Sequence, residues 1–351
     1  MIEHSRPTLG QEEKKAVLKI LASNYIAEGP EVHRFEDEVA AYIGSSGAVA
    51  TSTGTLGLHL ALLCLDLKPG GEIIIPSYTC RSVLNAILYC RAKPVLCDID
   101  LDTYNLSVTD TQKKITNRTQ AIIVPHMFGY PAPVGQFKKL GVPIIEDCAH
   151  ALGTEYQGRK AGHWGDLALL SFEGTKYIVT GEGGMVLANS SRLLSRLRRL
   201  KERDSRDFLV KYTYRMTDLQ AAIGRAQLIK LENFIKKRRA IANIYDKALT
   251  SVTEKHPMDC INGRHIYQRY MIQVRGNIRE LMKQCLQKGI KVKQPVKPYP
   301  LHHYLGLSGR LFPNTEHVMR SAVSVPIYPS LTKKEISHIT QTLPPLLKRY
   351  A

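Results

Sequence analysis

Between about residue 48 and residue 190, short apolar runs alternate with stretches of helical periodicity, and few folds accommodate that pattern. The runs from Ala48 to Ala50, Glu72 to Ile75, Pro94 to Cys97, Ala121 to Val124, Pro143 to Ile145, Leu167 to Leu170 and Met185 to Leu187 read as strands, short and rich in β-branched residues. They are continuously apolar instead of alternating, as expected of parallel strands covered on both faces. A mostly parallel seven-stranded α/β sheet flanked by helices is therefore predicted.

Beyond it, Thr217 to Leu249 holds a long helical period through Leu219, Ile223, Leu228, Leu231, Ile235 and Ile241, without a proline. This helix is expected to join a large domain, residues 1–235, to a smaller C-terminal α+β domain, residues 236–351. In the latter we expect a strand near Tyr270 to Val274, a helix near Arg279 to Lys288, a strand near Ile290 to Lys293 and a closing helix after Thr332. The stretch from Gln294 to Gly309, rich in Pro, His and Tyr, suits an ordered loop that reaches a site.

Composition narrows the class. With 351 residues, 44% of them hydrophobic, the chain can bury a large core, so disorder is not expected. The opening residues show no leader-like apolar region, and no apolar run approaches the roughly 18 residues of a membrane span, so a cytoplasmic protein is expected. Seven cysteines without a CxxC pair suggest reduced, mostly buried thiols and no metal site. The net charge of +18 raises the question of an anionic partner. However, Arg192, Arg196, Arg198, Arg199, Lys201 and Arg203 alternate with Leu193, Leu194, Leu197 and Leu200 in the manner of an amphipathic helix. Lys236, Lys237, Arg238 and Arg239 lie in a second helical pattern, and no aromatic interleaving accompanies either cluster, which argues against nucleic acid. Steering of an anionic substrate remains open.

The chemistry concentrates in two segments, IIEDCAHALG from Ile144 and LSFEGTKYIVTGEGG from Leu170. Each places a polar group just beyond the carboxyl end of a strand, where ligands gather in open α/β sheets: Asp147 in the first, and Ser171 followed by Lys176 in the second. Singly, Asp147 reads as a cap or turn residue and Lys176 as a solvated cation. Together they match what pyridoxal 5′-phosphate (PLP) needs, an amine to form an imine and an acid to keep the ring nitrogen protonated.

These segments sit within an ordered series that includes PTLG from Pro7, EGPEVHRFE from Glu28, Thr53-Gly54-Thr55, PVLCDID from Pro94, HMFGYP from His126, YRMTDLQAAIG from Tyr214 and PIYP from Pro326. On these motifs the chain resembles, along nearly its whole length, the DegT/DnrJ/EryC1/StrS family of sugar aminotransferases, PLP enzymes of the aspartate aminotransferase fold. The resemblance implies a Schiff base on Lys176, a ring partner in Asp147, Ala149 and His150 beside the ring, and a phosphate seat built from Thr53, Gly54, Thr55 and Ser171. The start of a helix after Thr53 suits that seat physically, because its N–H groups are free and its dipole favours anions.

Two positions depart from the family pattern. Cys80 stands where an aromatic commonly stacks on the cofactor, so either Cys80 or Tyr78 covers the ring. Thr213 stands where an asparagine usually reaches the phosphate across a dimer. The resemblance implies a homodimer and transfer of an amino group from an amino acid, L-glutamate, to a nucleotide-linked keto sugar, in the biosynthesis of amino sugars. Arg215, Tyr299, His302 and His303 are the candidates for holding the acceptor. The alternatives are a PLP sugar dehydratase, which carries histidine in place of the lysine, a non-catalytic relative, and a PLP transferase acting on small amino acids.

Overall fold

Each of the seven strands predicted for the large sheet forms, because a run that is apolar at every position can bury both faces. The computed structural model describes residues 1–201, 210–253, 260 and 262–350. Strands β1 (Gly47–Thr51), β2 (Glu72–Pro76), β3 (Lys93–Cys97), β4 (Thr119–Pro125), β5 (Ile144–Asp147), β6 (Leu167–Ser171) and β7 (Gly184–Ala188) make one sheet in the order β1-β7-β6-β5-β4-β2-β3. Strand β7 runs against both its neighbours, β1 and β6, while the other six share a direction. Successive side chains alternate faces. Ile73, Ile75, Ile123 and Leu169 therefore meet one core with the helices α3 (Gly54–Cys64), α4 (Arg81–Tyr89) and α5 (Ser191–Lys201). Ile74, Ile122 and Val124 pack on the other side, where Ala168, Leu170 and Met185 also meet α2 (Pro30–Ile43), the helix that follows α1 (Gln11–Ser23). Burying one such side chain fully contributes about 1.5–3 kcal/mol.

The long helix, α6 (Asp218–Leu249), begins at Thr217, whose hydroxyl accepts from the Gln220 N–H while the Gln220 side chain returns a bond to the Thr217 N–H. Its residues through Ile235 pack in the core of the large sheet, and those from Ile241 onward pack in a second core with Tyr270, Val323 and Ile339. That second core covers an antiparallel pair, β8 (Tyr270–Gln273) and β9 (Ala322–Val325), with helices α7 (Ile278–Gln287) and α8 (Lys333–Leu347). The strand expected near Ile290 to Lys293 does not form. Ile290 and Lys293 make only isolated bridges to Ile2 and Ser324, and Pro295, which lacks an N–H, prevents the pairing from continuing.

The basic run folds as α5, with Leu194 and Leu197 buried, Arg196 paired to Asp66 at 2.8 Å and Lys201 to Glu28 at 2.5 Å. Arg203 lies outside the described residues. In the second basic cluster, Arg238 is buried and donates to the carbonyls of Tyr267, Gln268 and Ile327, with its guanidinium over the Tyr177 ring. No helix among the described residues is long and apolar enough to cross a membrane.

Candidate active site

Strand β5 ends at Asp147, whose carbonyl accepts from the His126 N–H before the chain turns through Cys148 and Ala149. The preceding residue faces the other side of the sheet and does different work. Glu146 is fully buried and accepts from the backbone N–H groups of Gly162, Trp164 and Gly165 and from His126 Nε2 at 2.9 Å. His126 Nδ1 accepts from the Ala132 N–H, which leaves the ring proton on Nε2. These donors hold the Glu146 carboxyl below its ordinary pKa despite burial, so Glu146 is a fixed structural anion.

Asp147 has no such set of donors. It is 7% exposed, its Oδ1 accepts one bond, from the Ala149 N–H at 3.0 Å, and burial raises its pKa, with that N–H, Lys176 and His126 opposing. A carboxylate desolvated this far and so sparsely bonded has capacity for a charged donor.

Lys176 follows β6 in a loop tied at several points. The Glu173 carboxylate takes the Thr175 N–H and hydroxyl, the Lys176 N–H bonds to the Glu173 carbonyl at 2.9 Å, and the Tyr177 hydroxyl donates to the Ile266 carbonyl. Gly184, closing the Gly-Glu-Gly-Gly turn, has no space for a side chain, since a Cβ there would lie 2.5 Å from the Thr53 carbonyl oxygen. Strand β7 can therefore pass directly against the start of α3.

Two adjoining cavities, of about 350 and 420 Å³, share Cys80, Asp147, Ala149 and Lys176 in their walls. The larger continues past Ser171, Glu173 and Glu182 to Thr53, Gly54 and Thr55. There the Thr53 hydroxyl caps α3 by accepting from the Leu56 N–H at 3.2 Å, and the first N–H groups of the helix have no partner within it. Gly54 lies so close to Ser171 that a Cβ would come within 2.9 Å of the Ser171 Cβ. The smaller cavity is walled by His150, Phe128, Arg269, Lys293 and Lys297. His150 stacks on Phe128 at 5.9 Å, and burial, with Lys176 and Arg269 nearby, holds its pKa well below the ordinary value, so the ring is neutral.

The donor set fits PLP. An anion seat at a helix start lies at one end, an under-bonded buried carboxylate lies in the shared wall, and a lysine stands beside both. Of the two candidates for covering the ring, Cys80 is exposed and lines both cavities. Surrounding protein raises its thiol pKa, with the Asp147 charge adding to the effect. Tyr78 instead is wholly buried in an aromatic group with Tyr104 and Phe128 and lines neither cavity.

The four residues suggested for the acceptor do not line these cavities within one chain. Arg215 lines a separate cleft with Lys201 and Glu28, 3.4 Å from the Glu28 carboxylate, and Thr213 precedes it, its carbonyl bonded to the Arg215 N–H. Tyr299 is exposed beside His303. His302 is buried between the Ser77 hydroxyl at 2.6 Å and Glu316 at 3.0 Å, and His303 bonds to the same Glu316 oxygen. Gln294 to Lys297 is the part of the Pro-rich stretch that lines the smaller cavity. Arg269 was missed by sequence reasoning. The available signal was a cation set among the apolar residues that open β8, where a surface charge has no obvious role.

The family model for the DegT/DnrJ/EryC1/StrS aminotransferase family matches residues 7–344. GDP-perosamine synthase of Escherichia coli O157:H7 is 35% identical over 352 residues, covering 96% of each chain. Among solved structures, the aminotransferase TlmJ of Streptoalloteichus hindustanus is 28% identical with a TM-score of 0.92, covering 99% of both chains. DesV of S. venezuelae, solved in complex with a ketimine intermediate, is 28% identical with a TM-score of 0.90, covering 99% of this chain and all of that one.

Proposed function

This chain belongs to the DegT/DnrJ/EryC1/StrS aminotransferase family, and from that premise we infer that it is a PLP-dependent enzyme moving an amino group from an amino acid to a nucleotide-linked keto sugar. The observation that supports this most is the shared wall: Asp147 and Lys176 border both cavities, and the start of α3 closes one end. The GDP sugar in the names of the relatives makes a GDP-linked keto sugar the first acceptor to test.

When bound, PLP supplies an aldehyde that condenses with an amine and a ring that accepts electrons from a developing carbanion. The α3 N–H groups, Thr53 and Ser171 would hold its phosphate. The Asp147 carboxylate would hold the ring N–H and would thereby remain charged, because a cationic donor offsets the burial that otherwise raises its pKa. With the cofactor in place, Lys176 Nζ would take the proton from the donor α-carbon and would carry out the reverse transfer on the sugar carbon. His150 and Ala149 would border the ring, where neutral His150 adds no positive charge and Ala149 permits close approach, and Cys80 would help to cover it.

The donor is L-glutamate, as the family resemblance implies. The protein works in the cytoplasm as a homodimer of two-domain chains, residues 1–235 and 236–351. Thr213 and Arg215, which lie away from their own chain's cavities, approach those of the partner, and Tyr299, His302 and His303 border the route of the acceptor. The test is incubation of the PLP-loaded protein with L-glutamate and GDP-linked or other nucleotide-linked keto sugars. Formation of 2-oxoglutarate together with an amino sugar supports the reading. Glutamate turnover without amination of any sugar would move the enzyme to the transferases of small amino acids.

A further inference from the structure

The smaller cavity carries an unbalanced charge. Arg81, Arg269, Lys293 and Lys297 line it together with Lys176, and Asp147 is the sole carboxylate among its lining residues. Arg81 has a partner of another kind, the Tyr304 ring, 4.9 Å from its guanidinium carbon. Arg269 has less. Its Nε is shut off from water without a hydrogen-bond partner, and its NH1 comes to 3.4 Å from His4 Nε2. No carboxylate among the described residues lies within ion-pair distance of it; Glu173 acts on it only from farther away. Arg269 is half-buried, and a guanidinium whose Nε is shut off from water with no anion beside it is costly to hold. The fold holds it there nonetheless, since Arg238 grips the carbonyls of the two preceding residues, Tyr267 and Gln268.

Resting on the aminotransferase reading, we propose that Arg269, with Lys293 and Lys297 beside it, is the donor-specificity group, binding the carboxylates of an amino dicarboxylic acid so that its α-carbon lies beside Lys176. The planar fork of arginine matches a carboxylate in two parallel bonds. More than one cation on the wall suits a donor with two carboxylates, because a monocarboxylate would leave part of the charge unbalanced. The diphosphate of a nucleotide sugar fits this wall less well. A sugar ring separates it from the keto carbon, whereas both carboxylates of the donor lie a few bonds from the carbon that loses its proton.

The test uses PLP-loaded protein and three forms, wild type, Arg269→Gln and Arg269→Lys, each checked for a retained cofactor absorption band. Glutarate, an unreactive dicarboxylate, and GDP are titrated separately, and the L-glutamate half-reaction is followed in single turnover. Arg269→Gln should weaken glutarate binding and lower glutamate kcat/KM by about 100-fold, chiefly through KM, the scale of a lost charge-assisted pair. GDP affinity should stay within about 3-fold, and Arg269→Lys should recover part of the glutarate affinity. Unchanged glutarate binding would overturn the proposal, as would a parallel loss for glutarate and GDP, or a loss for GDP alone. Absence of any glutamate half-reaction in the wild type would remove the aminotransferase reading, and the glutarate titration would still decide the role of Arg269.

Discussion

Asp147 and Lys176 border the same two cavities without forming an ion pair, although the lysine charge opposes the rise in the carboxyl pKa caused by burial. The space between two opposite charges held apart is where a ring with a basic nitrogen and an aldehyde fits. It arises because β5 and β6 are parallel neighbours, with Asp147 in register with Leu169, two residues before β6 ends.

Asp147→Asn separates charge from shape. The amide oxygen can still accept from the Ala149 N–H, but the group no longer neutralises a protonated ring nitrogen. The rate should fall about 10²–10³-fold, the usual cost of losing one preorganised electrostatic partner. Thermal stability should hold or rise, because burial already disfavours the charged form. Steady-state kinetics and a melting curve measure the two effects, and a stable variant with full activity would remove Asp147 from the site.

Gly54→Ala probes the phosphate seat. The new Cβ would lie 2.9 Å from Ser171 Cβ and 3.0 Å from its Oγ, so Ser171 must shift. Stability should drop by about 1–2 kcal/mol, overpacking being partly offset by the better helix propensity of alanine. PLP affinity should fall about 10- to 100-fold as one hydroxyl contact to a charged group is lost. Titration of the apoprotein with PLP, followed by absorbance, reads this directly.

His4 makes folding sensitive to mild acid. It is 5% exposed, hydrogen bonded to the Ser324 hydroxyl at 2.9 Å, and burial followed by the charge of Arg269 lowers its pKa to about 2. A histidine with a depressed folded pKa binds its proton more readily when unfolded, so stability rises with pH between about 2 and the unfolded value near 6.5. Its contribution is complete above that window and is lost as pH falls through it. From pH 7 to pH 5.5 this one group should remove about 1 kcal/mol. In His4→Gln the denaturant midpoint should change less over the same interval, and an equal change in both proteins would assign the acid sensitivity elsewhere.

Much of the fold was legible because burial on both faces leaves a local mark: all seven runs of the large sheet became strands within a residue or two at most ends. The reversal of β7 left no such mark, since an apolar run reads the same in either direction. The expected strand near Ile290 failed because pairing needs a neighbour at each step, and Ile2 and Ser324 supply one partner apiece. At the site, Asp147 and Lys176 were legible from their places at strand ends. Arg269 was not, because its setting depends on Phe128, His4 and His150, each more than 100 residues away. For the same reason the Pro-rich loop gave no sign that His302 turns inward to Ser77, 225 residues distant.

Reduction of the PLP-loaded protein with borohydride, followed by peptide mapping, addresses the imine itself. The reduced cofactor should appear on the peptide containing Lys176, with loss of the visible absorption band, and Lys176→Ala should carry no label. A label on another lysine, or a colourless protein that takes up no PLP, would contradict the assignment of Lys176 and with it the chemistry built around Asp147.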